Sequence, residues 1–319
     1  MAKYILKRVL LMLLTLFIIT TMEFVLIRLL PRELPQEKNL AEVIAARWEA
    51  LGYKKPILVQ YGIYLKNIVT QWDFGTSWYI DFRTPAWDVL TSRLLPTVLV
   101  NLYSLIFSIP LGIGLGIYAA IRKNKWQDHV ISVMVMLFVS IPSYVYAFLV
   151  QYFFYFKWGL LPQRVLALAD AENSWVSMKM FISMIAPILA LSFGEIAGLC
   201  RFTRAELTET LTSDYMLLAR TKGLTKAQAT VHHALKNAMV PILPMLISSF
   251  VGILGGSFVI EQIFAIPGVG QLYLKSISLF DYDVFMMDGI FYTFIGLLAG
   301  ILVDISYGFI DPRIRMGER

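Results

Sequence analysis

Six apolar windows, at about residues 9–30, 96–121, 130–156, 180–200, 238–260 and 284–307, alternate with polar intervals along the 319-residue chain. About 20 apolar residues cross the roughly 30 Å hydrocarbon layer as a helix, and a helix in lipid satisfies its own backbone hydrogen bonds. The pattern predicts an all-α, polytopic membrane protein with six transmembrane helices. Lys3, Lys7 and Arg8 precede the first window as they would in a signal peptide, but the window is too long and no small-x-small cleavage site follows. It reads as a retained first span.

The polar intervals set the orientation. With the N-terminus in the cytosol, the inner segments collect Lys3, Lys7 and Arg8, then Arg122, Lys123 and Lys125, then Arg201, Arg204, Arg220, Lys222, Lys226 and Lys236, then Arg313, Arg315 and Arg319. The remaining cations fall mostly in the long 31–94 segment, where charge carries little topological weight, so both termini are expected to be cytoplasmic. The chain divides into an N-terminal span (1–30), an extracytoplasmic loop (31–94), a five-helix core (95–310) with a cytoplasmic region at 201–237, and a tail (311–319). Within the outer loop, Leu40, Val43, Ile44, Trp48 and Leu51 recur at helical spacing and predict an amphipathic helix over 40–51. A second short helix is expected over 59–69, followed by DFGTSW, where Gly75 permits a tight turn.

One polar interval is unusually elaborate: DYMLLARTKGLTKAQATVHHALKNAMVP, residues 214–241. Ser213 or Asp214 can cap a first helix, Gly223 ends it, and Thr225 with Gln228 forms a capping-box pattern that opens a second. Ala227, Val231, Ala234, Leu235 and Ala238 line one face of that second helix and leave Lys226, Thr230, His233 and Lys236 on the other. Tyr215, Met216, Leu217, Leu218 and Ala219 run consecutively in the first. Either they cover the chain's own bundle or they fill a groove on a cytosolic partner, flanked by Arg220 and Lys222.

The chain is 58% apolar with a mean hydropathy of +0.66, which excludes a soluble domain. Its net charge of +6 is spread over many loops, so no nucleic-acid partner is implied. Cys200 is the single cysteine, which excludes an intrachain disulfide. No phosphate-cradling G-x-x-x-x-G-K-[ST], no G-x-S-x-G and no H-E-x-x-H occurs. His232 and His233 are adjacent and His129 is distant, so they form no catalytic pair; neither an enzyme nor a cofactor is expected. Glu195 and Asp304 are expected near cytoplasmic span ends, and Glu23 and Arg28 in the outer half of the first span.

Small residues recur every four positions at Gly112 and Gly116, at Ser248, Gly252 and Gly256, and at Gly296 and Gly300, as helix-packing rows do. Ser248, Ser249, Gly252, Gly255 and Gly256 are the strongest candidates for lining a path. Pro267 and Gly268, in IFAIPGVGQL, mark a rigid outer turn that could gate it.

DYMLLARTKG followed by HHALKNAMVP resembles the cytoplasmic signature of permease subunits of ABC importers, in the oligopeptide/dipeptide branch. On alignment at Gly223, Leu217 and Leu218 replace the usual Glu and first Ala, while Ala219 and Gly223 match. The resemblance covers nearly the whole chain: YILKRVLLML (4–13), LGYKKPILVQY (51–61), DFGTSW (73–78), RLLPT (93–97), SIPSY (140–144), TRAEL (203–207), IEQIFAIPGVGQL (260–272) and DPRIR (311–315). It departs at LLPRELP (29–35), where relatives carry a Pro-Gly-Asp-Pro-like turn. The resemblance implies the type I ABC importer permease fold, with an extended external loop after helix 1, in the bacterial cytoplasmic membrane, as the B-type subunit. It makes Asp214, Tyr215, Leu217, Leu218, Ala219, Arg220, Lys222 and Gly223 the coupling element, seated in an ATP-binding subunit. It also implies a second homologous permease, two ATP-binding subunits, an extracytoplasmic solute-binding lipoprotein, and an oligopeptide as substrate. Dipeptide, nickel or glutathione import is the alternative on the same architecture. A non-transporting membrane scaffold and an ion-coupled transporter are the alternatives from other classes, the latter requiring inverted repeats that are not visible.

Overall fold

The computed structural model describes residues 2–30, 38–50 and 52–310. Leu51, residues 31–35 of LLPRELP, DPRIR and the tail cations Arg313, Arg315 and Arg319 lie outside them, as do the side chains of Lys3 and Leu40. The fold is all-α apart from one two-residue antiparallel pair, β1 (Thr76–Ser77) with β2 (Thr84–Pro85).

Helix α1 (Ala2–Leu29) is followed by α2 (Lys38–Ala50) and α3 (Ile57–Gln71), close to the two short helices predicted for the outer loop. In α2, Ile44 is fully buried and Val43 is exposed, as an amphipathic surface helix requires. Gly75 takes φ +108 and opens the turn into the β pair. The turn is held by Asp281, whose Oδ2 accepts from Ser77 Oγ at 2.7 Å and from the amides of Trp78, Tyr79 and Ile80 at 3.1–3.2 Å.

Helices α4 (Ala86–Ile121) and α7 (Met178–Leu211) form the most extensive pairing in the chain. Gly112 lies against Ile196 and Leu199, and Gly116 against Cys200 and Thr203; a side chain at either glycine would have to displace its neighbour. The packing role predicted for that row holds. Gly252, Gly296 and Gly300 instead meet nothing within 4 Å, so within this chain they form no close helix contact.

Two predicted spans are broken. Residues 130–156 divide into α5 (Trp126–Ser140) and α6 (Ser143–Val150), the latter running on as a π-helical segment to Lys157, with a 102° bend between the two halves. Pro142 causes it, because the residue before a proline is pushed out of the helical region and Ile141 is extended at ψ 126. The second break lies at the start of the fifth window. It follows α8 (Asp214–Thr221) and the short α9 (Lys226–Ala229), and a 57° bend separates the helical stretch 226–238, which ends in α10 (Lys236–Ala238), from α11 (Ile242–Gly252) with its continuation to Gly255. The window stops at Gly255 rather than 260, since Gly256 turns the chain at φ +62. Helices α12 (Phe258–Ile263), α13 (Val269–Ser278) and α14 (Tyr282–Ile310) complete the chain.

Four helices are thus long and apolar enough to cross a membrane, and six spans result if each bent pair counts as one. Helix α1 lies on α14, where Arg8 pairs with Asp304 at 3.1 Å. Asp304 therefore has an ionic partner on a neighbouring helix rather than simply marking the membrane edge.

Candidate functional site

Two regions hold the predicted site residues, one around α8 and the other around α12. Helix α8 begins at Ser213 as the capping pattern predicts, but the serine hydroxyl donates back to Thr210 O at 2.6 Å and caps no amide. Gly223 ends the helix at φ +92, which a Cβ would strain. Thr225 and Gln228 then form the expected capping box: the Gln228 amide donates to Thr225 Oγ1 at 3.3 Å and the Thr225 amide to Gln228 Oε1 at 3.0 Å.

The two faces of α8 differ sharply. Met216 and Ala219 are buried against Ala120, Leu207, Ala229, Ala234 and Ala238, so this face belongs to the chain's own bundle. Leu217 and Leu218 are 66% and 55% exposed, with Tyr215, Arg220 and Lys222 also outward. The placement corrects one sequence expectation: Ala219 fastens the helix from behind and is not part of its outer face. The reading that the run covers the chain's own bundle holds for one face only, because residues three apart in a helix share a side and their neighbours do not, and Leu217 and Leu218 are left in the open.

The following helix also departs from prediction. Its buried positions are Ala229, Thr230, Ala234 and Ala238, while Ala227, Val231 and both His232 and His233 are exposed. Residues 230–235 form a π-helical turn, and within it Thr230 rather than Val231 faces inward, while Ala234 and Ala238 further on are buried as predicted.

Behind α8, an ion pair ties the α4–α5 turn to α7. Arg204 donates to both oxygens of Asp128, with Nη2 to Oδ2 at 2.8 Å, and the Asn124 amide adds a bond to Oδ2 at 2.9 Å. The helix that carries α8 is thereby joined to the next turn along the same end of the bundle.

At the other region, Glu261 of α12 is 3% exposed and sits at the centre of a polar knot. Its Oε1 accepts from Thr97 Oγ1 at 2.9 Å and its Oε2 from the Gln271 amide at 2.9 Å, while the Val269 amide donates to Thr97 Oγ1 at 2.9 Å. Burial pushes the carboxyl up to about 7, against the opposing pull of these hydrogen bonds. Gly256, Gly268 and Gly270 surround it. A Cβ on Gly268 would strike Thr97 Oγ1 and the Glu261 carboxylate, and one on Gly256 the same carboxylate. The glycines of AIPGVG therefore leave room for a carboxylate, as well as shaping a turn.

Of the predicted gate residues, Gly256, Pro267 and Gly268 lie in this knot, whereas Ser248, Ser249 and Gly252 lie along α11 away from it. Ser248 is exposed, and Ser249 donates to Glu195 Oε1 at 2.8 Å. Gly255 has the ring of Tyr292 3.7 Å from where a Cβ would stand. Glu195 is not near a helix end: α7 continues to Leu211, leaving this residue in its middle, bonded to α11.

Sequence reasoning quoted the segments holding Thr97 and Glu261 without giving either residue a role, counted Arg204 only among the inner cations, and passed over Asp128 and Asp281. For Glu261 a signal was present: one acid inside an otherwise apolar segment, with glycines on both sides.

These features, helices able to span a membrane with a helix presented on a glycine-ended polar loop, define a multi-pass integral membrane protein. A profile described as binding-protein-dependent transport system inner membrane component matches residues 112–316, and its N-terminal companion matches residues 1–98. The chain belongs to this family, which has the type I ABC importer permease fold and multi-pass inner-membrane subunits. Similar proteins include the dipeptide transport system permease protein DppB of Bacillus subtilis (strain 168), 35% identical over 100% of both chains. DppB of Lactococcus lactis subsp. cremoris (strain MG1363) is also 35% identical, over 99% of this chain and 100% of its own. The glutathione transport system permease protein GsiC of Escherichia coli (strain K12) is 32% identical over 99% of each.

Proposed function

We propose that this chain forms half of the translocation path of an importer for short peptides, pairing with a second, homologous permease. In this reading the peptide arrives from an extracytoplasmic solute-binding lipoprotein, and both termini lie in the cytoplasm. Two separate ATP-binding subunits supply the energy, one of them gripping α8. The chain itself performs no covalent step. The observation that carries the reading is the division of α8: Met216 and Ala219 hold it to the bundle while Leu217 and Leu218 stand out in solvent. A helix fastened on one face and apolar on the other can be seized by a groove and transmit the partner's motion to the spans behind it.

The names of the relatives favour a short peptide, with dipeptides and glutathione inside the range and longer oligopeptides as its extension. The path would run along Ser248, Ser249 and Gly252 of α11, where little side-chain bulk intrudes. The Gly255–Gly256 turn, Pro267 and Gly268 would set its outer end. The test is the double variant Leu217→Asp, Leu218→Asp in cells carrying the whole transporter. Membrane insertion should be retained while the ATP-binding subunit no longer copurifies and peptide uptake falls at least about tenfold. Normal uptake and an intact complex would refute the docking assignment.

A further inference from the structure

Beside α8 lies a cavity of about 630 Å³, whose wall includes Asp214, Leu217 and Arg220 of the docking helix but whose other cations belong to elements outside it. Its walls come from the α4–α5 turn, the end of α7, α8 and the start of α9. Four cations line it, Lys123, Lys125, Arg220 and Lys226, against the single acid Asp214. Among the described residues none of the four cations makes an ion pair, and all four are exposed. Thr208 also lines the space, and its hydroxyl is buried there without a hydrogen-bond partner. Four cations brought to one concave space from three separate elements, with a single acid among them, set up a positive field that draws an anion, and the unpartnered Thr208 hydroxyl can donate one hydrogen bond to it.

The neighbouring surface shows which anion. Ile121, at the end of α4, lines the cavity and is exposed, while Tyr118 one turn earlier and Trp126, the first residue of α5, are exposed outside its lining, the latter at 71%. An apolar strip at the end of a membrane-crossing helix, topped by an aromatic ring and then by cations, follows the profile of a bilayer from acyl chain to headgroup.

We infer that this cavity holds the headgroup of an anionic phospholipid of the inner leaflet, its phosphate among Lys123, Lys125, Arg220 and Lys226. The acyl chains lie along Tyr118 and Ile121. The lipid bridges the α4–α5 turn and α8, so the acidic-lipid content of the membrane sets how firmly the docking helix is held. The inference rests on the cytoplasmic placement of α8 proposed above.

The full chain, purified in neutral detergent with the subunits that accompany it, is titrated with phosphatidylglycerol and with phosphatidylcholine, and bound lipid is counted by native mass spectrometry. Phosphatidylglycerol should be retained in preference. The pair Lys123→Gln, Lys226→Gln should weaken it about thirtyfold, as loss of two headgroup cations implies. The charge-matched pair Arg201→Gln, Lys236→Gln, whose side chains do not line the cavity, should stay within about threefold. Equal losses in the two pairs, or no preference for phosphatidylglycerol, would overturn the site. Displacement of the lipid by inorganic phosphate or ATP would assign the site to a soluble anion, and lipid retained only after the ATP-binding subunits are stripped from the complex would assign the space to that partner; either result also overturns the inference. A separate arm labels Lys226→Cys in intact cells with a membrane-impermeant maleimide, the native Cys200 being buried. Labelling from outside defeats the orientation, and with it the functional reading. Protection without lipid preference defeats the lipid site alone.

Discussion

The α8 region and the Glu261 knot are both short connecting segments flanked by spans, yet they handle polarity in opposite ways. Around Glu261 a carboxylate is buried and bonded to Thr97 and Gln271, and glycines leave no free volume. Around α8, leucines stand in solvent and four cations line a cavity without ionic partners. A segment whose polar groups are satisfied internally has been built to hold a shape. One that leaves apolar surface and charge unsatisfied has been built to meet something else. The difference separates a structural joint from the surface proposed above for docking.

The largest expected effect tests the inner face of α8. Ala219→Asp should place an unpaired charge against Ala120 and Leu207, cost about 4 kcal/mol, and remove most folded protein from the membrane, as measured by detergent-resistant yield. The outward residue beside it should tolerate the same change with normal yield.

The knot should show itself through pH. Glu261 keeps its proton up to about 7 in the fold, whereas the unperturbed carboxyl loses it near 4.5. The native state thus binds the extra proton between those values. The contribution of this residue to stability is greatest at or below pH 4.5 and declines as pH rises to 7, by about 3 kcal/mol in total. Glu261→Gln should flatten that decline in thermal unfolding of the purified protein; an unchanged pH profile would show that the residue does not titrate there.

A smaller effect is expected at the outer face of α8. Truncating Leu217 and Leu218 to alanine should weaken the ATP-binding subunit by about 2 kcal/mol, roughly thirtyfold in affinity, with no change in unfolding temperature. If stability falls and affinity does not, the two faces have been assigned the wrong way round. Smallest of all, Ser249→Ala removes one hydrogen bond to Glu195 and should cost about 1 kcal/mol of stability, read from the shift in unfolding temperature.

Much of the fold was legible in the sequence because hydrophobic spacing is a local signal. The apolar windows, the helices of the long outer segment, the Gly223 stop and the Thr225–Gln228 box all depend on residues within a few positions of one another. The close approach of α4 and α7 was announced by Gly112 and Gly116. Misjudged were features in which one residue alters the course of many. Pro142 bends a span by 102°, and in the π-helical turn that starts at Thr230 it is Thr230 rather than Val231 that faces inward.

The sequence by itself therefore determined that this chain spans a membrane, how its apolar segments are spaced, and that a polar helix-turn-helix divides the later ones. Only the tertiary structure decided which side of α8 is free, that Glu195 lies mid-helix against Ser249, and that Thr97 meets Glu261 across 164 positions of chain. The reason is physical. Secondary structure follows from interactions between near neighbours, whereas burial, pairing and exposure are set by residues far apart in sequence, whose meeting depends on every bend between them.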